Sequence, residues 1–365
     1  MHIVILADPI DNQRAGVHTY TKNLIEGLLK IDRENSYTFI HQEENDFFRD
    51  LDHHVLRRKN ILAAGTYRKF IEIPKLLKKL KPDIVIETCH IGPFFTPKNC
   101  KKVTIIHDLT PILFPHFHIK RSSLVHKLLL KKVIKDANLI ITPSENSKKD
   151  ILNYQKTPAQ VAVIPPGIKI PKAEDNQLIK FLKTGRPLSG SKQAKTAYLL
   201  YLGTIEPRKN IELLIEAFDE LKLPGYKLVI AGEIGWKSEQ IIEKASVTPN
   251  VELTGFIDEV AKAKLLKNAT LFIYPSLYEG FGIPPLEAMS YGTPVIVSQG
   301  GALKDIYENH AVTFNPSDKS DLKDKIQSLL NQNPSLKFIN DAKKYASSFN
   351  WERAAQKTLG YLNNL

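Results

Sequence analysis

Residues 274–289 read YPSLYEGFGIPPLEAM, and the order of residue types in this stretch is the most informative in the chain. An apolar run ends at Tyr274, a turn containing Gly280 and Gly282 follows, and the next segment opens with two prolines, which the first turn of a helix favours. A buried strand that leads through a glycine turn into a helix is typical of doubly wound α/β domains, whose ligands bind outside the carboxyl ends of the strands. The stretch therefore predicts both a fold class and a binding site.

The turn predicts a site for hydroxyl groups or for an anion. Glycines let a ligand approach the backbone, and free N–H groups at the start of a helix point towards it. The backbone groups concerned are those of Gly280, Phe281, Gly282 and Ile283. Glu279 and Glu287 flank the turn, and a carboxylate that accepts two hydrogen bonds suits a vicinal diol, so the combination indicates a sugar nucleotide. The alternative is that Glu287, expected in the first helical turn, only complements the helix dipole and Glu279 is a solvated loop residue.

Apolar, β-rich runs alternate with helical spacing on both sides of this stretch, which predicts parallel sheets covered by helices. The first series of predicted strands is 2–7, 37–41, 83–86, 103–107, 139–142 and 161–164. The second series is 198–202, 227–231, 251–253, 271–274, 294–297 and 311–314. We predict two tandem Rossmann-like domains, 1–168 and 197–350, joined by a linker over 169–196 that is rich in Lys, Gly, Ser and Pro. An amphipathic helix over 351–365 is expected to pack back on the first domain.

The composition excludes several classes of protein. The 365 residues are 42% hydrophobic and 25% charged, which is the range of globular proteins and not of disordered, collagen-like or coiled-coil chains. Two cysteines allow neither a disulfide framework nor a four-cysteine zinc site, and a cytoplasmic location is expected. No apolar run reaches the length of a membrane-spanning helix, and residues 1–7 are not expected to act as a signal peptide. The net charge of +12 suits phosphorylated substrates, anionic lipid or nucleic acid.

A second stretch, 203–210, reads GTIEPRKN and follows the predicted strand at 198–202. Arg208 and Lys209 lie at the turn from strand to helix, where a forked guanidinium and an ammonium can hold a diphosphate without a metal ion. The alternative is a solvated surface pair.

In the first domain, Gly16 opens a helix after the first strand and its loop, and His107 and Asp108 follow the strand at 103–106. At this edge of an α/β sheet the loops face the ligand. The alternatives are an incidental glycine and a helix-capping Asp beside a surface His.

These motifs together resemble the retaining glycosyltransferases of the GT-B fold known as glycosyl transferases group one, in particular their mannosyltransferases. The family has a Glu-x7-Glu motif in a segment much like 275–289. The resemblance implies that Glu287 binds the nucleotide ribose, that Glu279 contacts the donor sugar and that backbone amides of the turn reach the sugar hydroxyls. It also implies that Arg208 and Lys209 bind the donor pyrophosphate.

The resemblance implies that two domains face a cleft, that the amide of Gly16 approaches the donor phosphate and that His107 makes a transition-state contact. Ala15 departs from the family, which often has two glycines there. The implied reaction is metal-independent transfer of a mannose- or glucose-type hexose from a nucleotide-diphosphate sugar, with no cofactor, to a glycan or lipid-linked acceptor. Polysaccharide or cell-envelope biosynthesis is the context that the resemblance implies.

The segment 120–135 predicts a helix with a basic stripe in which Leu124 and Leu128 lie. Apolar residues within a cationic face suit an anionic membrane surface, and the protein is expected to reach the inner face of the membrane peripherally. The alternative is a solvated helix with incidental leucines.

Three other functions are weighed against the transferase. A nucleic-acid-binding protein would fit the charge, but the sequence lacks interleaved aromatic and basic residues or a recognition-helix motif. A sugar-nucleotide epimerase or a phosphorylase would share the fold. An epimerase needs acid and base residues on both faces of the sugar, and a phosphorylase usually has a cofactor-binding lysine, but the sequence identifies neither. Metal binding is not expected at Asp50 and Asp52 or at the histidine pairs 53–54 and 116–118, which lack partners at metal-ligand spacing.

Overall fold

The structure is a computed structural model that describes residues 1–12, 16–60, 64–169, 197–332 and 334–365. These residues form two compact units. Unit 1 comprises Met1–Gly167 and Asn350–Leu365, and unit 2 comprises Ile168–Phe349. The predicted linker lies outside the described residues from position 170 onward.

Unit 1 contains a sheet of seven parallel strands in the order β3-β2-β1-β4-β5-β6-β7. The strands are β1 (His2–Leu6), β2 (Ser36–His41), β3 (His53–Val55), β4 (Ile84–Glu87), β5 (Lys101–Ile105), β6 (Leu139–Thr142) and β7 (Gln160–Val163). The central strands are continuous apolar runs because helices cover both faces of the sheet, and every residue of β4 and β6 is buried.

The first helices of unit 1 are α1 (Pro9–Asn12), α2 (Gly16–Ile31), α3 (Ala64–Tyr67) and α4 (Ile73–Leu80), with a π-helical turn at Arg68–Glu72 before α4. They are followed by α5 (Thr110–Leu113), α6 (Lys120–Asp136) and α7 (Glu145–Tyr154). Short 3-10 turns lie at Asp46–Phe48 and Pro115–Phe117.

The C-terminal helix, Trp351–Leu362, completes the hydrophobic core of unit 1. Asn350 caps this helix by accepting a hydrogen bond from the amide of Arg353 at 2.8 Å. The Trp351 ring lies edge-on to the ring of Tyr20, with 5.4 Å between their centroids. A Cβ atom at Gly27 of α2 would lie 2.9 Å from the Cβ of Ala355, so glycine permits the two helices to pack closely.

Unit 2 contains six parallel strands in the order β10-β9-β8-β11-β12-β13. The strands are β8 (Ala197–Leu202), β9 (Tyr226–Ala231), β10 (Val251–Gly255), β11 (Leu271–Tyr274), β12 (Val295–Ser298) and β13 (Val312–Phe314). The helices, after a 3-10 turn at Pro207–Lys209, are α8 (Ile211–Leu221), α9 (Glu239–Val247), α10 (Glu259–Asn268), α11 (Ile283–Ser290), α12 (Leu303–Tyr307), α13 (Lys319–Asn331) and α14 (Leu336–Ser347). The C-terminal helix of unit 1 is α15 (Trp351–Leu362).

The predicted fold class is confirmed, because each unit is a doubly wound α/β domain with a parallel sheet. Sequence reasoning missed one strand, β3, which pairs with β2 in the register Phe39 to His53. It is short, carries two histidines and lies at the edge of the sheet, so it lacks the apolar run that marks the central strands. In the described part of the chain, no helix combines the length and the apolar character that crossing a membrane requires.

Candidate functional site

The two motif loops of unit 2 meet at the centre of its sheet. The loop 203–210 follows β8 and the loop 275–282 follows β11, and these strands are parallel neighbours. The strand order reverses between them, which makes this the position where doubly wound domains bind ligands. The amide of Leu277 donates a hydrogen bond of 2.9 Å to the carbonyl of Arg208, so the two loops are joined through their backbones.

Arg208 and Lys209 share one buried carboxylate, that of Glu279. Lys209 Nζ lies 2.6 Å from Glu279 Oε1, and Arg208 Nη1 lies 3.0 Å from Glu279 Oε2. All three side chains are buried. They are therefore not the solvated surface groups that the alternative readings would make them, and the structure brings together the two motifs that the sequence separates by 70 positions.

Two further groups, which sequence reasoning missed, hold the cations. Glu206 Oε1 accepts a hydrogen bond of 2.5 Å from Arg208 Nη2, and the hydroxyl oxygen of Tyr274 accepts one of 2.9 Å from Lys209 Nζ. Arg208 Nη1 also donates to the carbonyl of Tyr278 at 2.7 Å. Glu206 lies inside the 203–210 stretch, but nothing in the sequence distinguishes it from a loop carboxylate.

The neighbouring cations decide the ionisation of Glu279. Burial alone would raise the pKa of its carboxyl group, but the positive charges of Arg208 and Lys209 together outweigh that effect and lower the pKa to about 2. Burial raises the pKa of Tyr274 well above its ordinary value, so its phenol keeps its proton beside Lys209. The site thus combines two cations with two acidic side chains, Glu206 and Glu279.

The glycine turn has the geometry that the sequence predicts. Gly282 has a φ of +86°, which favours glycine, and a Cβ atom there would lie 2.7 Å from Cδ2 of Leu303. The backbone amides of Phe281 and Gly282 donate no hydrogen bond within the part of the chain that the structure describes. Gly280 is buried in this turn, and Ile283 begins α11. The carbonyl of Glu279 accepts a 2.9 Å hydrogen bond from Ala302, which anchors the turn to the loop after β12.

Glu287 lies in the second turn of α11 and not in the first, because the helix begins at Ile283. It is paired with Lys262 of α10, whose Nζ lies 2.8 Å from Glu287 Oε1. Sequence reasoning missed Lys262, since a single lysine on a helix has no distinguishing signal. Glu279 and Glu287 thus have different cationic partners.

In unit 1, His107 lies just beyond the carboxyl end of β5, which ends at Ile105. Its Nε2 lies 3.0 Å from the carbonyl oxygen of Thr88, and its ring lies edge-on to Tyr20 at 4.9 Å. Burial lowers the pKa of the imidazole, more than the Thr88 carbonyl and Asp108 raise it, which favours the neutral ring. Asp108 accepts hydrogen bonds from the amide and hydroxyl of Thr110, at 2.9 and 2.6 Å.

Gly16 begins α2 and is exposed, and a Cβ atom there would have no neighbour within 4 Å. The fold of the described residues therefore does not demand glycine at this position. Arg14 and Ala15, which complete the motif, lie outside the described residues.

Three aromatic residues of unit 2, Tyr201, Phe256 and Phe281, are candidates from the sequence for lining a nucleotide pocket, although core packing is the expected role of each. Tyr201 and Phe281 are buried in the core of unit 2, whereas Phe256 is half exposed. The expectation is wrong for Phe256, which follows Gly255 at the end of β10 and begins the loop before α10. None of the three contributes a side chain to the Arg208–Lys209–Glu279 cluster.

Comparison with known proteins agrees with this architecture. Residues 189–348 match the family model described as Glycosyl transferases group 1, and residues 14–170 match the model described as Glycosyltransferase Family 4. The O-antigen chain mannosyltransferase B of Escherichia coli is 28% identical over 98% of this chain and 98% of its own length. The O-antigen chain mannosyltransferase RfbU of Salmonella typhimurium is 25% identical over 78% of each chain.

Among solved structures, Anabaena HepE in complex with UDP-glucose superposes with a TM-score of 0.76 at 16% identity and full coverage of both chains. The two doubly wound units and the matches along both of them define a glycosyltransferase with the GT-B fold. The chain belongs to the group 1 glycosyltransferases.

Proposed function

We propose that this enzyme is a retaining, metal-independent hexosyltransferase that uses a nucleotide-diphosphate sugar, with mannose or glucose as the transferred sugar. The observation that carries the proposal is the buried cluster in which Arg208 and Lys209 meet Glu279 beside a glycine turn with free amides. Two cations fixed at the carboxyl edge of the sheet match the charge of a diphosphate. Turn amides and the Glu279 carboxylate match the hydroxyl groups of a hexose.

The chemistry of transfer fits these groups. The bond from the sugar C1 to the diphosphate oxygen breaks, the acceptor oxygen bonds to C1, and the acceptor proton passes to the departing phosphate oxygen. Negative charge grows on the diphosphate as it leaves, and preorganised cations such as Arg208 and Lys209 stabilise it, an effect typically worth several kcal/mol. We assign Glu287 to the ribose, the amide of Gly16 to the donor phosphate and the neutral His107 to a transition-state contact. Attack on the face of the leaving group gives retention of configuration.

The similar proteins favour a cell-envelope role. Two relatives are named as O-antigen chain mannosyltransferases, and HepE was solved with UDP-glucose. We therefore propose that the acceptor is a glycan or a lipid-linked glycan of envelope polysaccharide synthesis. We do not propose nucleic acid as a partner of this protein.

The donor site is tested by thermal shift with GDP, UDP, ADP and their common sugar conjugates, all with EDTA present, since a ligand that binds only the folded state raises the melting temperature. We expect one nucleotide to raise it, and Glu287→Gln to reduce the shift at the same nucleotide concentration. A shift that appears only when Mg²⁺ replaces EDTA would contradict metal independence. No shift with any of the nucleotides would contradict the donor site.

Turnover separates transfer from an epimerase or a phosphorylase. We expect release of nucleoside diphosphate to depend on an added acceptor, and the product linkage to keep the anomeric configuration of the donor, as read from the proton coupling at C1 by NMR. Interconversion of the donor without acceptor would indicate an epimerase. Release driven by inorganic phosphate would indicate a phosphorylase.

We also propose that α6 docks unit 1 on an anionic bilayer. Leu124 and Leu128 are 55% and 67% exposed, and Lys127, Lys131 and Lys135 are exposed on the same helix. The buried side of α6 consists instead of residues such as Leu130 and Val133 that pack in the core. Burial of the exposed leucines at the acyl boundary favours membrane binding, and so does the attraction of the surrounding lysines to anionic headgroups.

Sedimentation with vesicles of phosphatidylglycerol and of phosphatidylcholine tests the docking surface. We expect binding to phosphatidylglycerol only, and its loss in both Leu124→Asn/Leu128→Asn and Lys127→Glu/Lys131→Glu. Leu152→Asn is the matched control, because Leu152 is an exposed leucine on α7 of the same unit. Undiminished binding after loss of the charges would contradict the proposal.

A further inference from the structure

The residue Lys262 on α10 reaches the proposed ribose site, although no motif marks it. Its Nζ lies 2.8 Å from Glu287 Oε1 and 2.9 Å from Glu259 Oε2. The two helices concerned, α10 and α11, contact each other. The side chains of Lys262 and Glu287 are only 20% and 14% exposed, so this ion pair is partly removed from water.

The two carboxylates are not equivalent partners of Lys262. Glu259 is 84% exposed, and a salt bridge to such a group contributes little free energy because water screens it. Glu287 is the partner that matters. The nearby carboxylates, Glu287 first, raise the pKa of Lys262 in spite of its burial, which keeps the ammonium charged.

The pairing leaves hydrogen-bonding groups for a ligand. Lys262 occupies only Oε1 of Glu287, and no described residue donates a hydrogen bond to Oε2. An ammonium has three N–H groups. Two of those of Lys262 point to Glu287 and Glu259, and the third has no acceptor among the residues that the structure describes. A carboxylate oxygen and an ammonium N–H side by side can bind a hydroxyl group, the oxygen as acceptor and the N–H as donor.

We propose that Lys262 is a positioning residue for Glu287 that makes the donor site select a ribonucleotide. This role rests on the proposed function, in which Glu287 binds the ribose. The ammonium holds Oε1, which fixes the orientation of the carboxylate and leaves Oε2 directed to the hydroxyl groups of the ribose. A hydrogen bond to a charged group then separates a ribonucleotide from its 2′-deoxy analogue by roughly tenfold to a hundredfold in affinity.

The test compares the dissociation constants of a nucleoside diphosphate and its 2′-deoxy form by calorimetry, with GDP, UDP or ADP chosen as the one that stabilises the wild-type protein. The ratio of interest is the dissociation constant of the 2′-deoxy form divided by that of the ribonucleotide. We expect Lys262→Met to reduce this ratio about fivefold or more, because residues in contact contribute jointly to binding. The donor KM should rise by a similar factor while kcat changes little, because the ribose is bound equally in the ground state and the transition state. Lys262→Arg should restore most of the ratio.

Two further variants keep the test decisive. Glu259→Gln removes the exposed partner of Lys262 and should leave the ratio unchanged. Glu287→Gln should lower the ratio at least as far as Lys262→Met does.

Three results would overturn the role of Lys262. A lower melting temperature with an unchanged ratio in Lys262→Met would show a merely structural ion pair. Tighter nucleotide binding in that variant would show that Lys262 competes with the ribose for Glu287. An unchanged ratio in Glu287→Gln as well would refute the ribose site of the proposed function itself, whereas a changed ratio there beside an unchanged one in Lys262→Met would refute only the role of Lys262.

Discussion

Replacing Glu279 with Gln removes the negative charge that Arg208 and Lys209 share while it keeps the size and shape of the side chain. The variant leaves two buried cations with Glu206 as their remaining acidic partner. Removal of one member of a buried ion pair typically costs about 3 to 5 kcal/mol of unfolding free energy. The carboxyl pKa leads to a similar figure, since a fall from 4.5 to about 2 on folding corresponds to about 3 kcal/mol.

The contribution of the Glu279 carboxylate to the unfolding free energy depends on pH. The pKa of Glu279 is lower in the folded protein than in the unfolded chain, so its contribution is complete above pH 4.5 and is lost as the pH falls towards 2. We therefore expect the difference in unfolding free energy between wild type and Glu279→Gln to be constant from pH 8 to 6 and to shrink between pH 5 and 3.

The measurement is denaturation by urea followed by tryptophan fluorescence. The chain has two tryptophans, Trp236 in unit 2 and Trp351 in unit 1, so a Trp351→Phe background makes the emission report on unit 2. Glu279→Gln/Lys209→Met is the matched control, because it removes one cation with the carboxylate and should recover part of the lost stability. Equal stability of Glu279→Gln and wild type at pH 7, or a difference that does not change down to pH 3, would show that the Glu279 carboxylate does not stabilise the folded protein through the two cations.

The same cluster and the two helix termini of unit 1 support three further predictions. Lys209→Ala should lower kcat about 10²-fold or more in initial-rate assays through loss of charge stabilisation, whereas Lys244→Ala, which removes a partly exposed ion pair, should not. Gly16→Ala should fold normally but raise the donor KM or lower kcat, because the added methyl has no neighbour among the described residues and would meet the donor phosphate proposed to bind there; Gly360→Ala, also with free space around its Cβ, should leave the kinetics unchanged. Asn350→Ala removes the cap of α15 and should lower the unfolding free energy of unit 1 by about 1 kcal/mol, and an unchanged melting temperature would contradict it.

The sequence predicts the sheets well because their central strands are buried on both faces. A run such as Leu271–Tyr274 is entirely buried, so its apolar character is continuous and its ends are sharp. The edge strand His53–Val55 is only half-buried and needs no apolar run, so no sequence pattern distinguishes it from a loop. The periodicity of 120–135 also separates the two sides of α6 correctly, with Leu124 and Leu128 exposed and Leu130 buried.

The candidate site is predictable only as far as its local motifs reach. The backbone conformation of Gly282 favours glycine, and Arg208 and Lys209 are an adjacent basic pair in the turn after β8, so each has a signal within a few residues. The pairing of Lys209 with Glu279 depends on two strands becoming neighbours in the sheet, and no spacing in the sequence records that. Lys262 is less predictable still, because its proposed role depends entirely on its ion pair with Glu287, a carboxylate on another helix.

The contacts within the cluster explain why both motifs of unit 2 are needed at one site. Arg208 and Lys209 are buried before any ligand binds, and buried cations without partners would cost more free energy than a fold of ordinary stability can offset. Glu206 and Glu279 supply the compensating acidic groups. At the proposed donor site, a diphosphate would therefore have to displace Glu279 from the cations. It follows that Glu279→Gln should bind nucleoside diphosphate more tightly than wild type while it transfers sugar more slowly, since it loses the competitor and the sugar contact together. Weaker nucleotide binding by Glu279→Gln in calorimetry would show instead that Glu279 orders the cations for the ligand, and the displacement would be wrong.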